Sequence, residues 1–243
     1  MQIIADTHTH TLASTHAFST ILENAGAASQ AGLAYLGWTD HASSMTDAPH
    51  IWHFGNMRVV PDELCGVKLL KGAEANLCDM EGHLDLPDSV LEKLGWVVAS
   101  IHDPVLPPDT AEDYTAAYIG AARNPYVDVI GHSGLTRHPY DYEAGVKAFR
   151  DAGKLVEINE GTFLSRPASL ENCLKIASCC KAYECRVIVN SDAHFAAQIG
   201  RMPKALAMLA EIGFPPELIV NTSLDRFEAY LEERRVRVSR AAV

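Results

Sequence analysis

Short runs of β-branched and aromatic residues alternate with longer stretches of helical period along nearly the whole chain. This alternation limits the fold more than any other feature of the 243-residue sequence. Strands are predicted at residues 2–5, 35–38, 67–71, 96–100, 127–130, 155–158 and 186–189. Helices are predicted at 19–31, 88–94, 111–123, 143–152, 168–183, 203–212 and 223–235, with Asp88 as an N-cap after Pro87 and Gly32, Gly153 and Gly213 as stop signals. Strand–helix alternation implies βα units and a mainly parallel sheet. Seven such units in a chain of this length fit an α/β fold of the closed or nearly closed barrel type. An open doubly wound sheet is the alternative. No G-x-G-x-x-G follows the first strand and no G-x-x-x-x-G-K-[ST] occurs, so neither nucleotide-binding loop has support. Residues 43–61 lack periodicity and read as a long loop. No repeat, low-complexity tract or linker divides the chain, so residues 1–243 read as one domain, with 235–243 a frayed tail.

Hydrophobic residues make up 48% of the chain and charged residues 21%, enough to bury a sizeable core and to exclude disorder for most of its length. No apolar run approaches the ~20 residues that span a bilayer. The first residues, MQIIADTHTH, show no basic segment followed by an apolar one, so a cytoplasmic location is expected. The net charge of −11 argues against a non-specific nucleic-acid or anionic-membrane binder. It leaves open a small anionic substrate held by local positive charge. The six cysteines, at 65, 78, 173, 179, 180 and 185, form no C-x-x-C pair and read as reduced, buried thiols.

Histidine occurs 11 times, and its placement carries the chemistry. The first strand delivers His8 and His10, the second Asp40 and His41, and the third Glu74. The fourth ends at His102, the fifth at His132, and the seventh gives Asp192 and His194. In a parallel barrel these strand ends share one face, the face where active sites are built. His8 and His10 are two apart, as are Asp192 and His194, so each pair points to one side if the backbone stays extended. His16 lies in the following loop and can fold back over the same face. A lone strand-end histidine is more often a hydrogen-bonded residue than a ligand, and a lone carboxylate there more often caps the next helix. Packing gives no reason for all of them to fall at the same end of different strands. Such groups crowded on one buried rim are costly unless paired or metallated, so the joint reading is a metal site. His50, His53, His83 and His138 lie away from strand ends and read as surface or loop residues, Trp52 reads as a loop anchor, and Arg201 and Lys204 read as a solvated helix face.

The ordered motifs resemble those of the PHP (polymerase and histidinol phosphatase) family. They are Asp6-Thr7-His8-Thr9-His10, Asp40-His41, Glu74 within Gly72–Asn76, His102, Gly131-His132 and Asp192-Ala193-His194, spread over about the first 200 residues. The resemblance is closest to the small stand-alone phosphatases of that family. It implies a distorted, TIM-like (β/α)7 barrel carrying three divalent metal ions, with zinc first and manganese or iron next. It also implies a division of nine ligands. His8, His10, Glu74 and Asp192 would hold one metal. Glu74 would bridge to a second, completed by His102 and His132, and His16, His41 and His194 would hold the third.

Seven neutral imidazoles and two carboxylates around three dications leave a formal charge of about +4, an anion trap in an acidic protein. The expected function is therefore a metal-dependent phosphatase that hydrolyses a small phosphomonoester by attack of metal-activated hydroxide, with Glu74, Asp192 and His194 at the reacting centre. Asp6 or Asp40 is expected to orient a ligand imidazole from behind. A phosphodiesterase or exonuclease, an amidohydrolase-type hydrolase and a non-catalytic metal-binding protein are the alternatives. The acidic charge disfavours nucleic acid as substrate.

Overall fold

A computed structural model describes residues 1–103, 105–106 and 110–241. Its strands are β1 (Ala5–Asp6), β2 (Tyr35–Trp38), β3 (Glu63–Leu64), β4 (Val67–Asn76), β5 (Trp96–Ser100), β6 (Val129–Ile130), β7 (Leu155–Asn159) and β8 (Val187–Asn190). Its α-helices are α1 (Ile21–Gln30), α2 (Trp52–Asn56), α3 (Asp88–Leu91), α4 (Ala111–Arg123), α5 (Tyr142–Asp151), α6 (Glu160–Ser165), α7 (Leu170–Ala182), α8 (Pro203–Glu211) and α9 (Leu224–Ala241). Seven strands pair in parallel in the order β1-β2-β4-β5-β6-β7-β8, and β3 adds an antiparallel hairpin to β4. The sheet closes nearly into a barrel. At the seam, Thr9 bridges Ala193 in parallel, and the Asn221 side chain donates to both Ala5 O and Val189 O. No described helix is long and apolar enough to cross a membrane.

The period of two along each strand separates two cores. Inside the barrel, Ala5, Tyr35, Leu70, Trp96, Val98, Val129, Leu155 and Ile188 form one apolar cluster. Their outward neighbours, such as Leu69, Val97, Ile130, Val156, Ile158 and Val189, join a second cluster with the helices. The inward rows change character along the strands. In β7 the row runs Leu155, Glu157, Asn159, and in β4 it runs Leu70, Gly72, Glu74, Asn76. The amino end of the barrel is thus apolar and the carboxyl end polar. Phe227 and Tyr230 of α9 close the apolar end against Trp96 and Tyr35.

Several boundaries differ from the sequence expectations for identifiable reasons. The first strand is Ala5–Asp6 rather than 2–5, because Ile4 donates its N–H to Asn221 in the seam instead of to a strand. β4 runs on to Asn76, so Glu74 sits within the strand and caps no helix. β6 begins two residues late because the Asp128 carboxylate takes the Val97 N–H. Asp88 is the first helical residue of α3, with Pro87 at the N-cap. The loop expected at 43–61 contains α2 and a 3-10 turn (Met57–Val59), which bury Phe54 and Met57; a single turn is too short to show a period. α6 follows β7 directly, capped by the Asn159 side chain, and was not expected.

α9 continues through the tail as far as Ala241, and Ala242 and Val243 lie outside the described residues. α9 is held by Arg234 and Arg237, which both pair with the buried Asp128 carboxylate. All six cysteines are free, but only Cys180 and Cys185 are buried; Cys78, Cys173 and Cys179 are partly exposed and Cys65 is exposed.

Candidate metal centre

All nine residues marked as ligands in the sequence meet at the carboxyl end of the barrel. The arrangement is built around Glu74, which is buried. Its Oε2 faces His41 Nδ1 at 3.0 Å, His8 Nε2 at 3.3 Å and His10 Nε2 at 3.5 Å. Its Oε1 faces His132 Nε2 at 2.8 Å and His102 Nε2 at 3.5 Å. Asp192 Oδ1 lies 3.2 Å from His10 Nε2 and 3.7 Å from His8 Nε2. His194 stacks on His10 with ring centroids 4.3 Å apart and meets the His16 ring at 4.4 Å. Donor atoms within 4.8 Å of one another group as His8–His10–Glu74, His41–Glu74–His102, His10–His41–His194 and His16–His41–Asp47.

These donors are aimed inward by a row of partners behind them. His8 Nδ1 donates to Glu157 at 2.7 Å, His102 Nδ1 meets the Asn76 side-chain oxygen at 2.7 Å, and His16 Nδ1 meets Asp47 at 2.7 Å. His10 Nδ1 is 3.4 Å from Ser14 Oγ, and Ser14 donates to Asp40. Each such bond leaves the opposite ring nitrogen free for the centre. Asp40 therefore acts one step removed from a ligand. It also accepts from Thr11 and from Trp38 and pairs with His53. Asp6 touches no ligand imidazole. It accepts from Ser191 N, Ser191 Oγ and Gly200 N, and so fixes the turn that carries Asp192.

Backbone geometry adds a constraint at two of these positions. Asp192 has φ +56° and His132 φ +22°, both in the left-handed region that non-glycine residues avoid. Gly131, just before His132, has no room for a side chain: a Cβ there would meet Ser100 Oγ at 2.3 Å and Val98 Cγ1 at 2.7 Å.

Burial opposes ionisation of Glu74 and Asp192. The surrounding histidines outweigh it and hold both carboxyls well below the usual range. Burial likewise disfavours a proton on His8, yet Glu157, Glu74 and Asp192 together hold it well above its ordinary value. His10 is pushed down to about 4 by burial and by His41, and His102 to about 3 by burial. Burial lifts Asp6 to about 6 against its three donors.

The donor set fits divalent metal ions on an observation independent of these shifts. His8 Nε2, His10 Nε2, His41 Nδ1 and Glu74 Oε2 are buried and have no hydrogen-bond partner among the described residues, although they converge. Orphaned buried donors of this kind are costly unless something charged sits between them. Mixed imidazole and carboxylate ligands suit zinc, manganese and iron.

Sequence reasoning missed three contributors. Glu157 and Asn159 lie on β7, the one predicted strand that ends in no ligand. The visible signal was a glutamate inside the apolar run Leu155–Ile158. Arg166, after α6, borders the cavity of about 110 Å³ that His16, His41, His102, Asp192 and His194 line. Its guanidinium has no partner among the described residues. Of the residues read as peripheral, His138 is buried and bonded to Asp103, contrary to expectation. Trp52 is 79% exposed and meets the His50 ring edge-on at 5.0 Å instead of packing inward as an anchor. Arg201 and Lys204 are exposed and do not border that cavity.

A βα barrel with histidines and carboxylates gathered at the carboxyl ends of its strands defines the class of metal-dependent hydrolases. No protein-family model matches the chain. A probable phosphatase of Acetivibrio thermocellus is 42% identical over 240 residues, covering 99% of this chain and all of that protein. One of Caldanaerobacter subterraneus subsp. tengcongensis is 46% identical over 240 residues, covering 98% of this chain and 94% of that protein. Among solved structures, the fold is similar to histidinol phosphate phosphatase from Lactococcus lactis subsp. lactis, complexed with zinc, L-histidinol and phosphate. The TM-score is 0.60 at 14% identity, over 88% of this chain and 95% of that one. The chain belongs to the PHP family of phosphatases, and its relatives match it along nearly its whole length.

Proposed function

We propose that this phosphatase holds three divalent cations, with zinc first and manganese or iron as alternatives, and acts on a small phosphomonoester. The supporting observation is the set of partnerless buried donors around Glu74 Oε2. In this reading His8, His10, Glu74 and Asp192 would hold one cation, Glu74, His102 and His132 would hold a second, and His16, His41 and His194 would hold the third. The cations, when bound, supply Lewis acidity towards phosphoryl oxygens and lower the pKa of water towards ~7.

The protein's own residues do the rest. Glu157 holds His8 in the tautomer that frees Nε2. Asn159 donates to both Glu157 and Asp192 and so couples these two carboxylates. His194 is anchored through Nδ1 to the Asp192 carbonyl, which leaves its Nε2 for the centre. Arg166, at the cavity edge and unpaired among the described residues, offers a planar pair of donors to the non-bridging oxygens of a phosphoryl group. No serine or cysteine nucleophile is required.

The test compares p-nitrophenyl phosphate with bis-p-nitrophenyl phosphate, with zinc and with manganese. Monoester turnover that falls at least about a hundredfold in His8→Ala and Asp192→Ala is expected. Turnover of the diester alone would overturn the proposal in favour of a phosphodiesterase.

A further inference from the structure

A second cavity, of about 460 Å³, opens beside the metal centre and shares Met45, His102 and Arg166 with it. Its size is in the range of small-molecule sites. Its walls are partly apolar, with Ile101, Leu135 and Pro167, and its charges are unevenly balanced. Asp103 is the one acid among its described lining residues. That carboxylate is already committed, because one oxygen pairs with Arg137 and the other accepts from His138 Nε2 at 2.7 Å. Arg166 has no acidic partner among the described residues. Two guanidinium groups therefore face one carboxylate, and the cavity carries a surplus positive charge next to the place where a phosphoryl group would bind.

Resting on the phosphatase reading, we propose that this cavity receives the alcohol portion of the substrate and that this portion is itself anionic. The substrate class is a phosphomonoester whose alcohol bears a carboxylate or a second phosphate. A cationic alcohol such as an amino alcohol is disfavoured, because the described lining residues offer no uncommitted carboxylate to its ammonium group. Arg137 and Arg166 set this preference together, because Asp103 can neutralise only one of them; Arg137 lines the larger cavity and not the metal-lined one, whereas Arg166 borders both.

The experiment uses the metal-loaded protein and p-nitrophenyl phosphate turnover. Phosphoglycerate, glycerol phosphate and phosphoethanolamine, whose alcohols are anionic, neutral and cationic, are each measured as competitors, so that a poor substrate still reports its binding. Phosphoglycerate is expected to compete about tenfold better than glycerol phosphate, with phosphoethanolamine weakest. Arg137→Gln should bring the first two to within about twofold of each other, and Asp103→Asn, which releases Arg137, should widen their ratio. Equal competition by all three, a preference for phosphoethanolamine, or a ratio unmoved in both variants would overturn the proposal. Absence of p-nitrophenyl phosphate turnover would instead overturn the phosphatase reading, and this proposal with it.

Discussion

His8 Nδ1 and Glu157 Oε1 lie 2.7 Å apart, while the opposite nitrogen of the same ring faces Glu74 at 3.3 Å. A carboxylate, an imidazole and the metal-site carboxylate thus stand in line across the barrel, from β7 through the end of β1 to β4. Glu157 also receives the His132 N–H and the Asn190 side chain, so it positions two of the proposed ligands at once.

Glu157→Gln tests that arrangement, because it keeps the shape and removes the charge. Metal affinity is expected to fall about 10- to 100-fold, with a parallel loss of activity at limiting zinc. Competition with a chromophoric chelator measures it. Unchanged affinity would mean that Glu157 has only a packing role.

Gly131→Ala probes the tight approach behind His132. The added Cβ would press on Ser100 Oγ at 2.3 Å and Val98 Cγ1 at 2.7 Å, so both neighbouring side chains must shift. A loss of about 1–3 kcal/mol in urea unfolding is expected. A variant as stable as the wild type would show that the strands separate more easily here than their contacts imply.

Much of this was legible before any coordinates. The polar residues at strand ends marked the rim, because the barrel brings the carboxyl ends of its strands to one face and makes sequence-distant residues neighbours. What stayed hidden was of two kinds. Asn221 closes the seam through side-chain bonds that have no periodic signature. Glu157 looks like a misplaced charge in an apolar strand until His8 is seen beside it. Arg166 lies in a short connection after an unpredicted turn of helix, where no pattern marks a cavity wall.

Lys154 gives a pH dependence away from the metal centre. It is buried, and its Nζ donates to the Asn124 and Val127 carbonyls at 2.7 and 2.8 Å. Burial and the nearby Arg237 lower its pKa from 10.5 to about 7, and a neutral amine has the two N–H groups this site uses. Between pH 7 and 10.5 the unfolded chain holds a proton that the folded chain lacks, so this group makes stability rise with pH across that window. Lys154→Met removes the dependence. The stability of the wild type relative to the variant should therefore increase from pH 7 to pH 9, by at most about 1.4 kcal/mol per pH unit. A difference that stays flat over that range would show that the amine remains charged in the fold.

The most direct test is zinc titration of the metal-free protein, with the retained metal counted by mass spectrometry after desalting. Wild-type protein is expected to retain about three equivalents, and His8→Ala and Asp192→Ala about one fewer each. Retention of less than one equivalent by the folded wild type would contradict a shared metal centre at the rim of this barrel.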